Sequence, residues 1–119
     1  MSADFPFTFG IEEEFFLVNA RTRGLMARVP KTYLKACRKR LGDVVAPELL
    51  QSQVEIATPI LHDFDEAAAT LDACRAGLAE VAEGMNYRLV AAGTHPSSHW
   101  AQLEATEKPR YARLMADFG

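Results

Sequence analysis

The sequence is poor in the features that mark several specialised classes of protein. Its 119 residues include two cysteines, six prolines and seven glycines. No apolar run approaches the roughly 20 residues that span a bilayer, and the N-terminus lacks the basic and then apolar layout of a secretion signal. These absences argue against a membrane-spanning or secreted chain, and we expect a cytoplasmic protein.

The chain also lacks an excess of positive charge and a cysteine motif. A formal net charge of −3 and a pI near 5.6 give no electrostatic basis for binding nucleic acid or an anionic membrane. Cys37 and Cys74 form no CxxC pair, and each falls on the apolar stripe of a predicted helix. We interpret them as reduced core thiols, with a catalytic thiol or a disulfide as the alternative.

What the chain does contain is typical of one ordinary globular domain. Hydrophobic residues make up 49% of the chain and charged residues 24%. Periodicity and turn residues predict seven elements in the order strand, strand, helix, strand, helix, strand, helix. In chain order they are Phe7–Val18, Leu25–Val29, Pro30–Leu41, Leu50–Ala57, Asp63–Glu83, Tyr87–Gly93 and Arg110–Phe118.

The element order predicts an α+β fold with an antiparallel or mixed sheet and helices packed on one face. Asp63 and Glu66 have the spacing of a capping box at the start of the longest helix, and Gly84 is placed for a left-handed turn at its end. We expect residues 1–119 to form a single partial domain.

Three consecutive glutamates interrupt the apolar first strand. Because strand side chains alternate, Glu12 and Glu14 share one face, whereas Glu13 points to the apolar side and is not assigned as a ligand. In the later strand the same alternation places Glu55 on a polar face with Gln51 and Gln53.

Carboxylates on a covered sheet face need a cation or several donors, because desolvation disfavours their charged form. Oxygen ligands without His or Cys favour Mg²⁺ or Mn²⁺ over zinc, so Glu12, Glu14 and Glu55 are predicted metal ligands. On composition alone the first interpretation of Glu12–Glu14 is a solvated strand edge.

Four polar residues are assigned to substrate binding: Gln51, Gln53, Thr94 and His95. The two glutamines share the face of Glu55, where they either contact substrate and metal-bound water or pair with neighbouring strands. His95 follows the end of a strand, where sites are common, and the alternative is a structural role in its loop. No catalytic residue is assigned.

Four motifs occur together in the chain in a recognisable order: Gly10–Phe15, Glu48–Pro59, Gly93–Pro96 with Trp100, and Arg110–Tyr111. In these motifs the chain resembles the N-terminal part of the carboxylate-amine ligases of the glutamate-cysteine ligase type 2 family. The resemblance extends from Phe7 to Gly119. Glu12 and Glu14 match the Glu-x-Glu metal pair of the family, and Glu55 matches the glutamate of its second strand.

The resemblance implies a catalytic domain like that of glutamine synthetase, with metal ions that bridge ATP phosphates. It also implies a reaction in which the ATP γ-phosphoryl group passes to a carboxylate, usually the side chain of glutamate. An amine, typically that of cysteine, then attacks the acyl phosphate to form an amide. The metals neutralise the phosphate charge.

The chain departs from the family in length. It has no glycine-rich phosphate loop and no second set of Arg or Lys residues for ATP, so we expect no ligation by this polypeptide alone. A missing C-terminal portion or self-association is expected. The alternatives are a noncatalytic module that associates through an open sheet edge, and a metal-dependent phosphohydrolase.

Overall fold

Four strands pair antiparallel in one sheet: β1 (Glu12–Asn19), β2 (Val45–Pro47), β3 (Gln53–Ala57) and β4 (Tyr87–Val90). Their order across the sheet is β2-β3-β1-β4. The structure is a computed structural model that describes residues 7–47, 50–96, 99, 101 and 103–118. Three motif residues, Glu48, Leu49 and Trp100, lie outside the described residues.

Within these described residues, three α-helices accompany the sheet: α1 (Lys31–Leu41), α2 (Phe64–Gly84) and α3 (Pro109–Phe118), with a short 3-10 helix at Gly42–Val44 after α1. Helices α1 and α2 cover one face of the sheet, and the core lies between them and the strands. Its buried residues are Phe15, Leu17, Val29, Tyr33, Cys37, Val45, Val54, Ile56, Cys74, Leu78 and Ala82. The predicted α+β class is confirmed, α1 and α2 lie on one face as predicted, and the four strands pair antiparallel throughout.

The ends of α2 are set by local hydrogen bonds. The Asp63 carboxylate accepts from the Glu66 amide at 2.8 Å, as the capping box predicted. Glu66 accepts in turn from the amide of His62 at 2.8 Å, one residue earlier than predicted. Gly84 is the last helical residue, so its predicted left-handed turn is wrong; Asn86 adopts that conformation, with φ of 59°.

The predicted strand Leu25–Val29 is wrong, because Leu25 makes one bridge to Val18 and pairing then stops. The Val29 amide donates to the carbonyl of Gln51 at 2.7 Å, and the chain enters α1 directly afterwards. Instead, β2 supplies the additional strand by pairing with β3. No helix in the described part of the chain is both long enough and apolar enough to cross a membrane.

Candidate functional site

The sheet face opposite α1 and α2 carries the predicted acidic residues. In the ladder between β1 and β3, Glu14 lies directly opposite Glu55, and Glu12 lies two positions along β1. Paired residues in an antiparallel ladder project to the same face, so these three side chains share one surface. The register therefore confirms the common face that alternation predicted.

A cleft of about 470 Å³ opens beside Glu12 and Glu14. Its other lining residues are Glu13, Phe15, Gln53, Ala91, Ala92 and Gly93. Strand β4 pairs with β1 along Phe16–Asn19, and the chain diverges from β1 after Val90. The cleft occupies this divergence, between the first half of β1 and the three small residues at 91–93.

The donor set of the cleft fits a hard cation. Glu12 and Glu14 line the cleft and are exposed, and carboxylate oxygens are the ligands that Mg²⁺ prefers. Glu55 is half-buried on the same sheet face and does not line the cleft. Across the part of the chain that the structure describes, no three His, Cys, Asp or Glu side chains are grouped closely enough to hold a metal ion. The residues therefore fit a cation that takes one or two carboxylates here and fills its shell with water or phosphate oxygens.

Glu13 projects to the helix side of the sheet, as predicted, and is bound there by Arg75 of α2. The Arg75 Nε donates to one carboxylate oxygen of Glu13 at 2.9 Å, and a terminal nitrogen donates to the other. This two-pronged hydrogen bond raises the pKa of the Arg75 guanidinium above its usual value. Both oxygens of Glu13 are thus engaged away from the open face.

The four predicted substrate-binding residues occupy different places. Gln53, which is 8% exposed, lines the acidic cleft. Gln51 lies in the turn before β3, and its side-chain nitrogen donates to the carbonyl of Ala105 at 2.7 Å. It therefore holds the 104–106 segment and does not line the acidic cleft.

Thr94 and His95 line a neighbouring cleft of about 380 Å³. His95 is buried, and its ring stands edge-on to Phe16 with centroids 6.1 Å apart. Gly93 lines both clefts, so the two openings adjoin at this residue.

Two features of the site were missed from sequence. The segment Ala91–Gly93, which lines the acidic cleft, was predicted as strand. Its three small residues before Thr94 indicate that space is left open at the end of the strand. Arg75 was not singled out, although it is the one basic residue among the 21 of α2. A lone cation on an otherwise acidic and apolar helix is a signal of an ion pair with the sheet.

The cysteines lie outside the cleft. Cys37 and Cys74 are buried and unbridged, and burial raises the pKa of each thiol. The predicted core thiols are confirmed.

The comparisons with known proteins agree with one another. The sequence model of glutamate-cysteine ligase family 2 matches residues 8–119. Three similar curated proteins bear the name "Putative glutamate--cysteine ligase 2". They come from Ectopseudomonas mendocina, with 38% identity over 93% of this chain, Pseudomonas paraeruginosa, with 38% over 98%, and Rhodospirillum rubrum, with 40% over 93%.

The matched region is a minor part of each relative. It covers 29% of the Ectopseudomonas protein, 31% of the Pseudomonas protein and 30% of the Rhodospirillum protein. The chain therefore spans less than a third of the length of these relatives.

Proposed function

The chain belongs to glutamate-cysteine ligase family 2, and on that premise we propose that it contributes the acidic, cation-binding part of an ATP-dependent carboxylate-amine ligase. The proposed substrates are ATP, glutamate and cysteine, and the proposed cofactor is Mg²⁺ or Mn²⁺. We propose further that the sheet belongs to a catalytic domain like that of glutamine synthetase. Ligation is proposed for a protein of the relatives' length, and this chain alone is expected to bind without ligating.

The proposed reaction has two steps. A side-chain carboxylate oxygen of glutamate attacks the γ-phosphorus of ATP, the bond to the bridging oxygen breaks, and ADP leaves. The cysteine amine then attacks the acyl carbon, phosphate leaves, and the amine nitrogen loses a proton to give the amide.

The observation that carries the proposal is the pairing of Glu14 with Glu55 beside the cleft that Glu12 also lines. Like charges directly opposite each other in a ladder are unfavourable unless a cation or a donor compensates them. A Mg²⁺ held by carboxylates on this face would neutralise charge on the transferred phosphoryl group. The chain's own residues hold the carboxylate oxygens on one surface and leave room beside small side chains.

The remaining polar residues are proposed to contact substrate. Gln53 is closest to the acids, because it lies opposite Phe16 in the ladder and lines the same cleft. Thr94 and His95 border the adjoining cleft and would meet the part of a ligand that extends past Gly93. Gln51 would act through the 104–106 segment that its side chain holds.

Metal-dependent nucleotide binding tests the proposal. Titration calorimetry with Mn²⁺ and ATP is run on the unmodified chain and on Glu14→Gln, which keeps the size of the side chain and removes its charge. Loss of a direct ligand should weaken binding at least as much as loss of a supporting residue, so we expect a decrease of roughly tenfold or more. Asp43→Asn, an exposed acid in the 3-10 helix after α1, is the matched control for net charge.

Equal affinities of Glu14→Gln and the unmodified chain would contradict the proposal, as would an unmodified chain that binds neither Mn²⁺ nor ATP. Release of phosphate from ATP in the absence of any amine would support the phosphohydrolase alternative instead.

A further inference from the structure

The three consecutive glutamates of β1 have the same chemistry and different surroundings. All three residues border the cleft, but both carboxylate oxygens of Glu13 are bound by Arg75 of α2, whereas Glu12 and Glu14 project to the open face. Arg75 is 62 residues away along the chain. The alternation of β1 places Glu13 on the face of the buried Phe15 and Leu17, and Arg75 meets its carboxylate there.

The backbone of this region is held on one side. Strand β3 pairs with Glu12–Phe16, and the ladder with β4 begins at Phe16. A shift of one residue in a strand transfers every side chain to the opposite face. Such a shift would turn Glu13 to the open face and Phe15 out of the core, so burial of Phe15 favours the observed register. In the described ladders, however, Glu12–Phe15 pair with β3 alone.

Arg75 is well placed to fix that register. Its neighbour Cys74 is 5% exposed and belongs to the core, so the start of the Arg75 side chain is anchored to the body of the protein. The planar guanidinium matches a carboxylate in a fixed two-pronged geometry, which makes the contact specific in direction.

We propose that Arg75 is a positioning residue of the cation site, which holds Glu13 on the helix side and thereby directs Glu12 and Glu14 into the cleft. The pair also withholds the third carboxylate from the cation and neutralises its charge. This inference rests on the proposed function, because it assumes that the cleft binds a cation.

The test removes the contact without changing net charge. In Glu13→Gln with Arg75→Gln, one negative and one positive charge are lost together, so a change in Mn²⁺ affinity reports on position and not on overall electrostatics. Supporting residues around metal ligands typically contribute 10- to 100-fold in affinity, so we expect Mn²⁺ to bind roughly tenfold more weakly. Electron paramagnetic resonance of free Mn²⁺ measures the affinity.

The matched control is the pair Arg40 and Glu80, which joins α1 to α2 on the helix side of the protein. The double change Arg40→Gln with Glu80→Gln alters the same two residue types, and we expect an affinity within about twofold of the unmodified chain because this pair joins two helices and does not contact β1. Unfolding temperatures of all variants identify any general loss of structure.

Two further variants test position directly. Exchanging the pair, Glu13→Arg with Arg75→Glu, restores an ion pair across the same gap and should recover most of the affinity. Arg75→Lys keeps the charge and loses the two-pronged contact, so its affinity should be intermediate. If the double glutamine variant does not fold, these two decide the question.

Amide hydrogen exchange without metal gives an independent result. The amides of Glu12–Phe15 should exchange faster in the double glutamine variant than in the unmodified chain, whereas those of α1 should not. Unchanged exchange together with unchanged Mn²⁺ affinity would overturn the inference. An unmodified chain that binds no Mn²⁺ would contradict the proposed function, and the exchange measurement would still decide the role of Arg75.

Discussion

At the scale of single residues, Tyr33 shows how burial couples stability to pH. Its ring is fully buried, and its hydroxyl donates to the carbonyl of Leu78 at 3.0 Å. Burial raises the pKa of Tyr33 well above its usual value of 10.0, and it raises the pKa of Cys37 and Cys74 above their usual value of 9.0. The folded state therefore retains protons that the unfolded chain releases at alkaline pH.

We expect the free energy of unfolding to fall as the pH rises above about 9, where unfolded thiols ionise, and to fall more steeply above about 10, where unfolded Tyr33 ionises. The stabilisation is complete below those values and is lost as the pH rises through the raised pKa values of the folded state. Tyr33→Phe should cost about 1 kcal/mol at neutral pH through the lost hydrogen bond.

Urea denaturation at neutral and alkaline pH measures both effects of Tyr33→Phe. The variant should show a shallower loss of stability above about pH 10 than the unmodified chain. An identical pH dependence in the two proteins would contradict the assignment to Tyr33.

The sequence predicted which site residues share a sheet face wherever the two-residue alternation of a strand fixed their positions. Alternation placed Glu12, Glu14 and Glu55 on one face because all three lie within strands. It could not place Gln51, which lies in the turn before β3 and bonds to Ala105, 54 residues later. The contact between Glu13 and Arg75 was invisible for the same reason, since no local pattern encodes so distant a partner.

At the scale of elements, α1 and α2 pack closely at Gly77. A Cβ atom at this position would lie 2.8 Å from the Cδ2 of Leu41 at the end of α1. Glycine therefore permits the close contact, although it costs up to about 1 kcal/mol of helix propensity relative to alanine.

We expect Gly77→Ala to be nearly neutral, because the gain in helix propensity offsets a contact that the flexible end of Leu41 can relieve. Gly77→Leu should destabilise the protein by about 1–3 kcal/mol, because the larger side chain separates the two helices. Urea denaturation measures both, with Ala76→Leu on the exposed neighbouring position as the matched control. A stable Gly77→Leu protein would show that the helices pack elsewhere.

The helices were predicted better than the short strands. Apolar periodicity and Asp63 set α2 to within a residue at each end, because these signals are local. Strand β2 was missed since its three residues end in proline and form a strand only through pairing with β3. Leu25–Val29 had the composition of a strand, but its single bridge to Val18 shows that composition does not supply a partner.

At the scale of the whole molecule, the sheet separates a stabilising face from an acidic one. Helices α1 and α2 bury the apolar side chains of β1 and β3, while Glu14 and Glu55 oppose each other on the other face. Like charges on one sheet face repel each other, and a bound cation would offset that repulsion.

We therefore expect Glu14→Gln to stabilise the metal-free protein by about 0.2–1 kcal/mol, the usual range of cross-strand pair effects. At saturating Mn²⁺ the unmodified chain should instead be more stable than Glu14→Gln, because the protein that binds the ion more tightly gains more stability from it. Thermal unfolding with and without Mn²⁺ measures both, and Asp43→Asn should follow the unmodified chain in each condition. If the Glu14→Gln variant were less stable than the unmodified chain in the absence of metal, repulsion between the carboxylates would not be the dominant effect.

The α+β fold class and the division of side chains between the two sheet faces followed from the sequence, because the hydrophobic pattern determines both. The cleft did not, because it arises where β4 leaves β1 after Val90, a divergence that depends on where pairing between two distant segments stops.

That divergence affects how the cleft can respond to a ligand. In the described residues, the ladder between the two strands ends at the pair of Phe16 and Val90, so Ala91–Gly93 share no ladder hydrogen bonds with Glu12–Phe15. The distance between these two segments can therefore increase or decrease without breaking a hydrogen bond of the sheet. Molecules of different bulk can enter at little backbone cost, while the carboxylates stay fixed to β3.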